Sequence, residues 1–203
     1  MLFRSNKGDS ALLLAFKLRL RGISVLLYYI LDLLGKQIDF TLRTTSGNNM
    51  LSIAINKNYQ RDIITFILAQ ANYNRVSSAL VNNQNNLGQT ALFSAVVTQN
   101  LNIIESLITF GESGETGNKD FVNIQDNDGN TALMVAVEKG YKEVVEKLLK
   151  YGKNINFGLK NNKGDTVMVL GIKGHNYDII SMLVDSGAID ITEYDDYDDL
   201  GKD

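Results

Sequence analysis

The sequence predicts an all-α solenoid of about five helix-turn-helix units, and three observations lead there. A Gly-x-Thr/Ser/Asn-small-Leu phrase recurs at Gly8, Gly47, Gly88, Gly129 and, with changes, Gly164, at intervals of 39, 41, 41 and 35 residues. Self-similarity at a period of roughly 20–50 residues marks a stacked array rather than one globular core. Each phrase is followed by apolar residues at helical spacing, and a second amphipathic stretch follows most of them. Helix pairs this short are marginal in water on their own. They need neighbours on which to bury their apolar faces, so repetition is a physical requirement here.

The elements of one unit are clearest around Gly129. Asp126-Asn127-Asp128-Gly129-Asn130 reads as a turn, because Asx side chains bond their own backbone and glycine supplies positive φ. Thr131 then stands where a helix N-cap belongs, its hydroxyl able to accept an orphan backbone N–H. Leu133, Ala136 and Val137 follow at helical spacing, and Gly140 ends this short helix. A second helix begins near Tyr141. It carries Val144, Val145, Leu148 and Leu149 on one face and Lys142, Glu143, Glu146, Lys147 and Lys150 on the other, and Tyr151-Gly152 closes it. Seven positions after each phrase glycine stands a small residue (Ala15, Ala54, Ala95, Ala136, Gly171), which lets the first helices of neighbouring units approach closely.

These residues resemble the ankyrin repeat family. Gly129, Thr131, Leu133, Ala136, Gly140, Val144, Val145, Leu148 and Leu149 carry the match in the fourth unit. In the third it rests on Gly88, Thr90, Leu92, Ala95, Ile103, Ile104, Leu107 and Ile108, and in the fifth on Gly164, Thr166, Gly174, Ile179, Ile180 and Leu183. The second unit keeps Gly47, Leu51, Ala54, Ile63, Ile64, Ile67 and Leu68 but has one extra residue between its helices. The first, with Gly8, Ser10, Leu12, Ala15 and Ile23–Leu34, is the loosest. The expected repeat domain spans 1–190, with units near 5–40, 44–75, 85–112, 123–154 and 158–188. An acidic, flexible tail over 191–203 is expected after it.

The chain departs from the family's Thr-Pro-Leu-His phrase by lacking its Pro and His. Helix starts read Ala, Met or Val in place of Pro, which suits the first helical position. Ser52, Phe93, Met134 and Val169 cannot supply the bonds the family's His makes between turns, so softer and less regular finger turns are expected. Two connections are long, Tyr73–Asn86 and Gly111–Asn123, and the glycine-rich second is expected to be a flexible surface loop.

Composition restricts the chemistry. There is no Cys and one His, so neither a Cys/His pair nor a His-rich or thiolate zinc site can be assembled. His175 falls at a tight inter-helix bend, where a structural role bridging backbone groups is expected. Gly111, Gly114 and Gly117 lack the strand and helix of a phosphate loop, and the acidic tail lacks the Gly and Glu of a calcium loop. Met50, Met134, Met168 and Met182 lie on apolar helix faces as core. No run reaches the roughly 18 apolar residues of a membrane span. The expectation is therefore no enzyme, no cofactor, no metal, no small-molecule substrate, no nucleic acid and no membrane.

Charge is split: residues 1–100 carry ten Lys/Arg against four Asp/Glu, and 101–203 carry ten against nineteen. Such asymmetry can steer a charged partner. The absence of Cys favours the cytoplasm, a monomer is expected, and the resemblance implies a module that binds another protein through turn tips and the exposed side of the first helices. Carried over by position, the contact residues are Thr45, Ser46 and Asn48; Asn86, Leu87 and Gln89; Asn127, Asp128 and Asn130; and Asn162, Lys163 and Asp165. Lys57, Thr98, Glu138, Lys139 and Lys173 join them from the helices. Asn127, Asp128 and Asn130 are expected to face outward without a part in the fold, and Leu87 is the sharpest candidate because turn tips are normally polar. An inhibitor or immunity-type role against a basic enzyme or toxin is the sharper expectation. The alternative is a structural fragment or cap of a larger array, delivered to a host cell if it is an effector.

Overall fold

A computed structural model of the chain describes residues 42–59, 61–73, 77–113 and 120–188. The first expected unit and the acidic tail lie outside the described residues. Four turn-and-helix-pair units follow one another. Helices α1 (Met50–Asn56) and α2 (Arg61–Tyr73) form the first described pair, with a short helix α3 (Ser77–Val81) after them. The next pairs are α4 (Ala91–Val97) with α5 (Leu101–Ser113), α6 (Ala132–Glu138) with α7 (Lys142–Tyr151), and α8 (Val167–Lys173) with α9 (Tyr177–Asp185). A 3-10 turn, Phe121–Asn123, precedes α6.

The helices form two layers. The inner helices α1, α4, α6 and α8 stack in series, and the outer helices α2, α5, α7 and α9 stack in series behind them. One continuous core runs along the boundary, from Leu51 and Ile64 through Leu92, Ile104, Leu133 and Val145 to Ile179 and Leu183. The small residue of each inner helix sits in that boundary: Ala54, Ala95 and Ala136 are fully buried, and a side chain on Gly171 would touch Ile180, Leu183 and Val137. Two ion pairs tie the outer layer together. Lys147 Nζ lies 2.9 Å from Glu105 and Lys142 Nζ 2.6 Å from Asp178. The hydrogen bond from Lys147 holds the Glu105 carboxyl below the usual carboxylate range, and Glu105 in turn raises Lys147.

The caps divide instructively. Thr131 accepts the Met134 N–H at 3.2 Å, and Asn49 and Thr166 cap their helices likewise. Thr90 occupies the same position without a side-chain cap bond, and its buried hydroxyl has no partner among the described residues. Thr131→Val is expected to cost about 1 kcal/mol through the lost cap. Thr90→Val is expected to leave the unfolding temperature unchanged or raise it, because it removes a desolvated hydroxyl that bonds nothing. Calorimetry of the two variants separates the cases.

Three places in the chain add detail to the sequence reading. The Tyr73–Asn86 connection contains α3, whose Leu80 and Val81 are buried. Of the Gly111–Asn123 connection, residues 111–113 end α5 and the 3-10 turn buries Phe121, while most of the expected glycine-rich loop lies outside the described residues. Among the described residues, the His175 ring makes no hydrogen bond that bridges backbone groups. The residue adopts a left-handed φ of +51° in the bend, as Asn58 and Gln99 do at equivalent places, and its side chain is exposed.

Candidate functional site

The turns project from the inner helices as a row of fingers, and their geometry repeats closely. The phrase glycines have φ of +77°, +76°, +77° and +82° at Gly47, Gly88, Gly129 and Gly164, a conformation that only glycine adopts freely. The residue three before the glycine closes each turn. Asn85 Oδ1 accepts the N–H groups of Leu87 and Gln89, Asp126 Oδ1 those of Asp128 and Asn130, and Asn161 Oδ1 those of Lys163 and Asp165.

Neighbouring fingers are bonded directly. Asn86 donates its backbone N–H to Ser46 O and its side-chain amide to Thr45 O. Asn127 does the same to Leu87 O and Asn86 O, and Asn162 to Asp128 O and Asn127 O. A second rung is made of glutamines: Gln84 Nε2 donates to Gly88 O and Gln125 O, and Gln125 Nε2 to Gly129 O and Lys160 O. The expectation of less regular fingers is thus corrected. Where the family uses a histidine, this chain ties its fingers with amide side chains, each of which spans two carbonyls or reaches one across the joint.

With this geometry in place, residues 116–195 match the family model described as Ankyrin repeats (3 copies). Residues 116–195 carry ankyrin repeats. A search of the curated proteins finds no match. Ankyrin repeats generally mediate protein–protein interaction and are generally non-catalytic. Among the described residues no helix is long and apolar enough to cross a membrane, and no group of His, Asp and Glu is placed to hold a metal.

The ankyrin geometry sorts the predicted contact residues into three groups. Asn86, Asn127 and Asn162 are exposed, but each spends an amide N–H on the finger before it. Asn48 and Asn130 are half-buried and accept side-chain bonds from Asn85 and Asn161 across the joint. Gln89 is half-buried and its backbone closes its own turn. Asp165 is 7% exposed and bonded to Lys173 Nζ at 2.6 Å, so it does not face a partner. Asn127 and Asn130 therefore do take part in the fold, contrary to the expectation, whereas Asp128 does so only through its backbone.

The second group is the fingertip proper: Thr45, Ser46, Leu87, Asp128 and Lys163 are exposed, and among the described residues none uses its side chain in a finger joint. Leu87 is 61% exposed, whereas Phe93 in the inner helix of the same unit is buried. The third group lies at the inner-helix ends. Lys57, Thr98, Glu138, Lys139 and Lys173 are all exposed there, with Thr98 folded back to bond Ser94 O at 2.8 Å. Sequence reading missed Val97, the last residue of α4, which is 55% exposed. Its signal was available, since it shares a register with Asn56, Glu138 and Lys173, where the other units place polar residues.

Proposed function

We propose that the protein is a protein-binding module whose contact surface combines the fingertips Thr45, Ser46, Leu87, Asp128 and Lys163 with the inner-helix ends, centred on the unit of Leu87 and Val97. The observation that carries the reading is the exposure of these two large apolar side chains at either end of one inner-helix segment, each in a row of polar equivalents. Apolar anchors within a polar rim are the arrangement in which a few side chains supply most of the binding energy. The inhibitor reading is the finer form of this proposal and is supported by the acidic balance of residues 101–203, which would speed association with a basic partner.

The test compares the native chain with the Leu87→Ser, Val97→Ser double variant as bait in the native source. Both residues are outside the core, so the unfolding curve is expected to stay in place while the captured partner falls by about tenfold or more. Undiminished capture by the double variant would sink this surface. If the inhibitor form holds, association slows steeply as salt is raised.

A further inference from the structure

The outer helices carry a joint that is filled in one copy and open in the next. Between α5 and α7, Glu105 stands 17 positions after Gly88. It is met from α7 by Lys147 and Tyr151, which stand 18 and 22 positions after Gly129. Lys147 Nζ lies 2.9 Å from Glu105 Oε2 and 4.9 Å from the centre of the Tyr151 ring. Hydrogen bonds from Lys147 and Tyr151 hold the Glu105 carboxyl below the usual carboxylate range. Together these side chains close the joint: Glu105 and Tyr151 are half-buried, and the Lys147 side chain is 23% exposed.

Between α7 and α9 the same register reads differently. Glu146 keeps the place of Glu105, but Met182 stands in the register of Lys147 and Ser186 in that of Tyr151. Neither residue carries a charge that could neutralise the carboxylate. A cavity of about 260 Å³ opens there, lined by Glu146, Leu149, Lys150, Met182, Asp185 and Ser186. Its apolar part is Leu149 and Met182, both half-buried against the core. Its rim is acidic at two places, because Asp185 takes the register of Lys150 and reverses the charge there. Among the described residues neither Asp185 nor Glu146 is in an ion pair. Lys150, the one cation of the lining, has its Nζ 5.5 Å from the centre of the Tyr151 ring, which belongs to the filled joint.

We infer that this cavity receives a lysine side chain of a partner protein, its stem lying on Leu149 and Met182 and its ammonium between the Glu146 and Asp185 carboxylates. The filled joint is the template, since there a lysine of this same chain makes the equivalent contact with Glu105. Lysine suits such a lining, because its methylene stem packs on apolar surface while the charged head stays at the rim. The acidic excess of residues 101–203 favours the approach of a partner that presents one. The cavity lies on the outer helices, behind the layer that carries the fingers. It is therefore a second contact and does not depend on the fingertip surface.

Titration of the full-length chain with heptalysine, followed by NMR, tests it. Saturable shifts are expected at the Glu146 and Ser186 amides, and none with the same peptide acetylated on every lysine. Glu146→Gln, at an exposed position, is expected to weaken binding about tenfold through the loss of one charge-assisted contact. Met182→Lys supplies the cation from the chain itself and is expected to abolish the shifts. The Leu87→Ser, Val97→Ser variant is expected to keep them, which separates this site from the fingertips. Glu146 and Ser186 amides that do not move in the native chain overturn the proposal. So do shifts of undiminished affinity in Glu146→Gln, because the peptide would then be held elsewhere. Equal shifts with the acetylated peptide overturn it as well, since the cavity would then be taking an uncharged chain.

Discussion

Gly129→Ala is expected to cost about 2–5 kcal/mol. About 1–2 kcal/mol of that comes from holding an L-residue in the left-handed region. The rest comes from the joint, because the added methyl would stand 2.7 Å from Asn162 N and 3.0 Å from Asn161 Cα, both backbone atoms that cannot swing aside. To admit it the fifth finger must withdraw, releasing the Asn162 bonds to Asp128 O and Asn127 O, each with a net value of about 0.5–1.5 kcal/mol. Gly140→Ala is the control. Its φ of +69° imposes similar strain, but its nearest neighbour is a side-chain end, Asn176 Nδ2 at 3.3 Å, so about 1–2 kcal/mol is expected. Urea denaturation of the pair measures the difference, and equal losses would mean that the fingers do not approach this closely.

The second large effect concerns a residue in what the sequence presents as a linker. Phe121→Ala is expected to cost about 3–5 kcal/mol. Phe121 is 1% exposed and forms the 3-10 turn that packs against α6, anchoring the return of the chain to the fourth unit. An exposed loop residue would give a change within about 0.5 kcal/mol. Equilibrium unfolding with two probes, far-UV circular dichroism and tyrosine fluorescence, checks both the size of the loss and whether the array still unfolds as one.

The contrast between these two residues shows what the sequence makes legible. The period, the caps at Thr131 and Thr166, the small residues at Ala54, Ala95 and Ala136 and the outer-helix faces are all local patterns, and the helices obey them. Phe121 is a lone aromatic after a glycine-rich stretch, and no periodicity reports which way such a residue turns. The fingers failed for a different reason. An Asn in a turn looks the same whether its amide faces water or a neighbouring carbonyl. Comparison between units would have distinguished them: Asn86, Asn127 and Asn162 are identical across three fingers, as a shared joint demands. The next position reads Ser46, Leu87, Asp128 and Lys163, free to vary because the fold asks nothing of those side chains. The exposure of Leu87 was legible only because an apolar residue broke that polar row.

The direction of the finger bonds has a consequence for assembly. In the described joints the asparagine bonds run one way, from N–H groups of the later finger to carbonyls of the earlier one, while Gln84 and Gln125 donate in the opposite sense. The asparagine ladder consequently has a polarity, with acceptors on the earlier finger of each joint and donors on the later one. Two copies brought together about a two-fold axis at the acceptor side of that ladder would set carbonyl against carbonyl. Self-association that reuses the asparagine ladder is instead head-to-tail, and such contacts close into rings or continue as filaments rather than stop at a pair.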